Sequence, residues 1–264
     1  MQVKYENVKF NINLKHSLEL HLVKQAIKRK IGRFIGKPYV TDDYLKFART
    51  ILTKAEKPVI VDVGCNIGTT VIPLASEFPL ATFFAIEPHP LPASHFIINC
   101  ELNRIENVNL VSCAIGDDHA LCQIYTCPNN SGGHRVTGFR GRKDLDHLNA
   151  FGPISIPIKP LASIFTDLKI ERCDLLKIDT EGYETSVLRS LGQLLDPERI
   201  PCVIAEMGSE GLAKANSSPV ELLSILLGKG YKCCLLQDRR AILSEKDLPD
   251  LPDFVVKDLL CYKG

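Results

Sequence analysis

The sequence contains no apolar run approaching the ~20 residues that a membrane-spanning helix needs. Residues 1–10 hold no apolar stretch of the kind that opens a secretory leader. No fixed period and no low-complexity tract is present, which excludes repeat, collagen-like and disordered architectures. Charge of one sign is not in excess: the formal net charge is +1, so the overall balance marks neither a nucleic-acid binder nor a binder of acidic surfaces. There are ten cysteines but no CxxC pair, and no Cys/His set has zinc spacing. Most lie in apolar, strand-like runs, as at Cys113, Cys173, Cys202 and Cys233. The expectation is buried reduced thiols acting as small hydrophobes, in a cytoplasmic protein without a structural metal.

What remains is a globular composition: 264 residues, 45% hydrophobic and 24% charged. A chain of this size can bury roughly 70–75% of its unfolded surface without staples, and one large α/β domain suits the length. The charge is unevenly spread. Residues 1–57 hold 13 Lys/Arg against 5 Asp/Glu, and residues 24–37 hold six basic residues and no acid. Val23, Ile27, Ile31 and Phe34 recur there at helical spacing, which predicts an amphipathic basic helix. Such a helix either docks on the domain with a solvated face or contacts an anionic substrate or a membrane surface. Residues 1–57 therefore read as a helical, basic N-terminal extension, and residues 58–264 as the main domain.

In that domain, β-branched apolar runs alternate with helical patterns. Val59-Ile-Val-Asp-Val63, residues 81–86, 108–113, 174–178 and 202–205 read as buried parallel strands, with helices over 69–78, 91–104, 184–195 and 219–227. Residues 121–127 and 154–158 read as strands flanking a long polar stretch, 128–152. Residues 231–236 and 254–261 read as an antiparallel pair at the end. The pattern predicts a doubly wound parallel sheet.

Two constellations stand out. Asp62 closes a strand, Gly64 and Gly68 frame a turn into a helix, and Glu87 lies at the tip of the next strand. Glycines let the backbone approach a ligand, the helix start offers free N–H groups, and an acid at the following strand tip can accept both ribose hydroxyls. The Gly-x-Gly-x-x-Gly dinucleotide fingerprint is absent, because Asn66 occupies the second glycine position, and so is a phosphate-binding Gly-Lys-Ser/Thr loop. The residues leave open an NAD-dependent oxidoreductase, a non-catalytic nucleoside-binding fold, and an Asp62 that merely caps the turn. The second constellation is Asp174-Leu-Leu-Lys-Ile-Asp179-Thr-Glu181-Gly182-Tyr-Glu184. Charges at the end of a buried strand are costly unless paired or used. Lys177 can pair with an acid there; alternatively Asp179 or Glu181 faces a reacting group, with Glu206 from the next strand joining them.

Together Val61-Asp-Val-Gly-Cys-Asn-Ile-Gly68, Glu87-Pro-His-Pro90, Asn107-Val-Asn-Leu-Val-Ser-Cys-Ala-Ile-Gly116 and Leu176-Lys-Ile-Asp-Thr-Glu-Gly-Tyr-Glu184 resemble the FkbM-type family of S-adenosylmethionine-dependent methyltransferases. The resemblance covers about residues 58–236. It implies an α/β, Rossmann-like class I fold: a seven-stranded, mostly parallel sheet with a terminal antiparallel hairpin. It implies S-adenosyl-L-methionine as methyl donor, S-adenosyl-L-homocysteine as product, and O-methylation of a hydroxyl on a sugar or natural product. N-methylation or a peptide acceptor is the alternative within the same fold. By the same resemblance Asp62, Gly64 and Gly68 contact the methionine part and Glu87 the ribose, with Cys65, Asn66 and Pro88 also among the cofactor-binding residues. Ala114, Ile115 and Asp117 then border the adenine, and Asp179 adjoins the cofactor. The expected partner is a small hydroxylated molecule rather than a nucleic acid. Asp179, Glu181 and His134 are the candidate bases; His134, Arg135 and Glu206 are candidate acceptor contacts. His134 and Arg135 belong to the 128–152 stretch, expected to face the acceptor as a closing loop.

Overall fold

The computed structural model describes residues 2–11, 42–125, 135–137, 153–252 and 255–264. In chain order, β1 (Gln2–Tyr5) and β2 (Val8–Asn11) make a hairpin, followed by α1 (Asp43–Leu52). Then come β3 (Val59–Val63), α2 (Val71–Glu77), β4 (Thr82–Ile86), α3 (Pro90–Asn103) and β5 (Val108–Val111). Short strands β6 (Ala114–Ile115), β7 (Ala120–Tyr125), β8 (Arg135–Thr137) and β9 (Ile154–Lys159) lead to α4 (Leu161–Asp167). The second half holds β10 (Leu175–Ile178), α5 (Glu184–Leu191), β11 (Cys202–Gly208), α6 (Ser209–Lys214) and α7 (Pro219–Gly228). The chain ends with β12 (Tyr231–Leu235), β13 (Ala241–Ile242) and β14 (Val256–Lys263).

The main sheet runs in the order β13-β12-β14-β11-β10-β3-β4-β5. Strands β5, β4, β3, β10 and β11 are parallel neighbours, and β14 is antiparallel to both β11 and β12. Strand alternation buries both faces. Val61, Val63, Leu176, Ile178 and Val203 pack against α4, α5 and α7 through Phe165, Leu188 and Leu223. Ile60, Phe83, Ala85, Leu175 and Ile204 pack on the other face against α1, α2 and α3 through Leu45, Ile72 and Phe96. This is the doubly wound arrangement expected from the apolar runs. From β3 the chain winds outward to β5, then crosses back to set β10 beside β3, so the loops leaving β3 and β10 part at a topological switch point.

The structure adds detail that the sequence reading lacks. The sheet has an eighth strand, the two-residue β13, paired with β12, and β14 inserts between β11 and β12 instead of lying at the edge. Strands β6, β9, β7 and β8 form a separate four-stranded sheet with its own small core of Cys122, Ile124, Ile156 and Ile158. Residues 2–11, expected within a helical extension, are a β-hairpin whose Val3, Tyr5, Val8 and Phe10 are buried in the core on the α1 face. The basic 24–37 segment lies outside the described residues. Cys233 and Cys261 form a disulfide. This corrects the expectation of reduced thiols throughout and removes the cysteine-based ground for a reducing compartment. The two face each other only because β12 and β14 pair in that register. Seven other described cysteines are free, all but Cys100 buried. Among the described residues, no helix is long and apolar enough to cross a membrane.

Candidate active site

Both constellations meet at the carboxyl ends of β3, β4 and β10. Gly64 has φ +89°, and a Cβ built on it would lie 1.8 Å from the Asp179 carbonyl oxygen. Only glycine lets the turn after β3 pass this close to the end of β10. The Asp179 amide donates to the Val63 carbonyl at 2.9 Å, extending the β3–β10 ladder up to the crevice. The Gly64 and Cys65 amides both donate to the Ile86 carbonyl, at 2.9 and 3.1 Å, tying the same turn to the tip of β4.

Glu87 closes the next side. Its carboxylate accepts from the Asn66 amide at 3.0 Å and the His89 amide at 2.8 Å, so it bridges the glycine turn and the start of α3. It is buried, and burial raises its pKa to about 7 against those two hydrogen bonds. A carboxylate has about four acceptor positions, so two amide donors leave capacity for a ligand diol. His89 caps α3, its Nδ1 accepting from the Leu91 amide at 3.1 Å, and burial lowers its pKa to about 4. His89 is therefore a neutral cap at physiological pH. Asn99, fully buried on α3, donates to the Ile67 carbonyl at 3.1 Å and accepts from the Asn11 amide at 2.7 Å, linking the glycine turn to the N-terminal hairpin.

Asp62 is wholly buried. Its Oδ2 accepts from the Thr70 hydroxyl at 2.5 Å, while Oδ1 has no hydrogen-bond partner and lies 3.6 Å from the Lys177 ammonium. Lys177 sits directly opposite Asp62 in the β3–β10 register and donates to Asp179 Oδ2 at 2.9 Å. Tyr44 of α1 lays its ring 5.8 Å from the Lys177 nitrogen. Burial works against the ammonium, but Asp179 and Asp62 outweigh it, and the Lys177 pKa lies well above the ordinary value.

Past Asp179 the backbone turns sharply, with Glu181 at φ +56°. Buried Glu184 holds that turn: its Oε1 accepts from the Thr180 amide, the Thr180 hydroxyl and the Gly182 amide at 2.8–3.1 Å. Glu181, Glu184, Glu206 and Glu210 line a cleft of about 210 Å³ that Lys214 and Val256 also border. The charge of Asp179, then burial, then Glu181 and Glu184 raise the Glu206 pKa to about 9. Asp258, opposite Glu206 on β14, is raised to about 6, first by burial.

Asp62, Gly64, Cys65, Asn66, Glu87 and Asp179 thus converge at the carboxyl ends of β3, β4 and β10 through these contacts, with Asp62 and Cys65 buried and Pro88 half-buried, while Glu181 and Glu206 line the cleft. Gly68 turns the chain into α2. Ala114 and Ile115 are buried on β6, and Asp117 is exposed just beyond it. Arg135 pairs with Tyr125 between β8 and β7, and His134 lies outside the described residues. The sequence reading missed the clamp made by Glu184, the bridge made by Asn99 and the ring of Tyr44. Of these, only Glu184 stood in a motif that could have exposed it.

Known proteins resemble this chain in sequence and in fold. The family described as the methyltransferase FkbM domain matches residues 62–233. Methyltransferase 1 of Beauveria bassiana is 28% identical over 143 residues, 50% of this chain and 57% of that protein, so little more than half of that relative's length is spanned. The 2-O-methyltransferase NoeI of Sinorhizobium fredii is 29% identical over 185 residues, covering 66% of this chain and 73% of that one. The solved methyltransferase domain of METTL16 shares the fold at TM-score 0.50 and 11% identity, over 96% of this chain and 82% of that chain.

Proposed function

This chain belongs to the FkbM methyltransferase family, and from that premise we propose that it methylates a hydroxyl of a small sugar-like or natural-product acceptor, with S-adenosylmethionine as donor and S-adenosylhomocysteine as product. The observation that supports the proposal is the close approach of Gly64 to the Asp179 carbonyl, which brings the turn after β3 against the end of β10 and so gathers Asp62 and Asp179 at one end of the sheet, beside Glu87. The residues fit the donor's chemistry. Asp62, held by Thr70 and Lys177 beneath the turn, would orient that turn toward the amino-acid end, and Glu87 suits a ribose diol. Gly64, Cys65, Asn66 and Gly68 would hold the amino-acid end, Pro88 the ribose edge, and Ala114, Ile115 and Asp117 the adenine. When bound, the sulfonium supplies an electrophilic methyl group.

The chain's own residues then have three tasks. The turn from Asp179 to Gly182, clamped by Glu184, orients the acceptor oxygen in line with the donor at about 3–3.5 Å. Asp179, on the crevice side of the cleft, accepts the hydroxyl proton. Glu206, protonated at neutral pH, donates a hydrogen bond into the cleft. The charge of Asp179 and burial raise the Glu206 pKa to about 9, which leaves Glu206 the donor of the two. Glu181 is the second candidate base, and His134 and Arg135 would approach the acceptor from the 128–152 segment. The O-methyltransferase activity in the name of NoeI supports a hydroxyl acceptor.

The test is twofold. Calorimetric titration should show S-adenosylhomocysteine binding and no NAD binding. Labelled methyl transfer should then appear on a neutral sugar or polyketide in an acceptor panel and be lost in Asp179→Ala. Binding of NAD alone, or transfer restricted to amines, would overturn the reading.

A further inference from the structure

We propose that Lys177 is the positioning residue of this site: one buried ammonium ties the donor-side Asp62 to the acceptor-side Asp179 and fixes the orientation of both carboxylates. The inference rests on the methyltransferase reading above. Its basis is geometric. β3 and β10 place Lys177 and Asp62 directly across from each other, and the side chain reaches on to Asp179, two residues along its own chain. Asp62 is fully buried, whereas the Asp179 side chain is 40% exposed at the mouth of the crevice. A single cation thus spans the depth of the site. Its contact with Asp179 is a hydrogen bond at 2.9 Å, and its contact with Asp62 is an ion pair at 3.6 Å. α1 contributes from outside the region that matches the family, because the Tyr44 ring covers the ammonium.

The charged and titratable groups facing Lys177 are Asp62 on β3, Cys65 in the glycine turn, Asp179 beyond β10, Glu206 on β11, Asp258 on β14 and Tyr44 on α1. Four of the six are carboxylates. Without the ammonium they share a poorly solvated space with one another, and an opposing charge typically moves a carboxylate by about 1–3 pH units.

S-adenosylhomocysteine is the probe. Its dissociation constant is measured by calorimetry from about pH 5 to 9 for the wild type, Lys177→Met and Lys177→Arg. In Lys177→Met the acid limb of binding should move up by about 1–3 pH units, and Lys177→Arg should keep the wild-type limb. Coincident limbs in the wild type and Lys177→Met would overturn the proposal, whatever the absolute affinities. If the wild type fails to bind the probe at any pH, the methyltransferase reading falls, and the proposal with it. Lysine-Nζ NMR of the wild type needs no foldable variant. The Lys177 ammonium should persist beyond the ordinary lysine range, and titration at or below that range would also overturn the proposal.

Discussion

Replacing Gly64 by alanine puts the closest contact in the site under direct strain. The new methyl would lie 1.8 Å from the Asp179 carbonyl oxygen, well inside any real Cβ contact, so that carbonyl must retreat by at least about 1 Å. The retreat breaks the 2.9 Å hydrogen bond from the Asp179 amide to Val63, worth about 1 kcal/mol. Holding alanine at φ +89° adds about 1–3 kcal/mol. A total near 3 kcal/mol lowers Tm by about 6–12 °C in a protein of this size. Displacing the reacting carboxylate by about 1 Å costs transfer about 100-fold. Gly230→Ala is the control: φ is +86° there, close to that of Gly64, but nothing lies within 4 Å of its added Cβ, so only the backbone cost of about 1–3 kcal/mol should appear, without the broken hydrogen bond or the loss of affinity. Urea unfolding and S-adenosylhomocysteine titration read both variants. Equal losses in the two, or wild-type affinity in Gly64→Ala, would refute the claim that the β3 and β10 turns meet at this point.

Other consequences follow from single contacts. Glu87 has a folded pKa of about 7 against 4.5 ordinarily, so its favourable contribution is complete below pH 4.5 and is lost as pH rises through about 7. Across that window the unliganded wild type should lose roughly 3 kcal/mol more than Glu87→Gln, and the variant should bind S-adenosylhomocysteine about 10–100-fold more weakly. Asn99→Ala strands the Ile67 carbonyl and the Asn11 amide; chemical denaturation should register a loss of about 2–3 kcal/mol. Glu184→Ala releases three donors of the 180–182 turn and should lower kcat about 100-fold while leaving S-adenosylhomocysteine affinity within a few fold. Alkylation of the unfolded, unreduced protein should spare Cys233 and Cys261, and reduction should cost about 3–4 kcal/mol for a loop of 28 residues.

Much of the frame is legible because it is local. Val59–Val63 and Leu175–Ile178 are short apolar runs, and the acids and glycines that follow them mark the carboxyl edge of the sheet, where the proposed donor site lies. The hairpin of residues 2–11 was legible too: Val3, Tyr5, Val8 and Phe10 alternate across a two-residue turn, a strand signal that the basic charge of the segment obscured. The insertion of β14 between β11 and β12, and with it the Cys233–Cys261 bond, depends on pairing between distant segments, which no local pattern encodes. The same holds for Asn99, whose partners at Ile67 and Asn11 are far off in sequence, and for Tyr44, which reaches the site only through the packing of α1 on the sheet.

The most direct measurement is a crystal structure with S-adenosylhomocysteine. It should show the ribose hydroxyls on Glu87, the amino-acid end in the turn from Gly64 to Gly68 beside Asp62, and the sulfur directed toward Asp179. A nucleoside bound away from Glu87, or a crevice that closes over Asp62 and Asp179 without admitting it, would contradict the account.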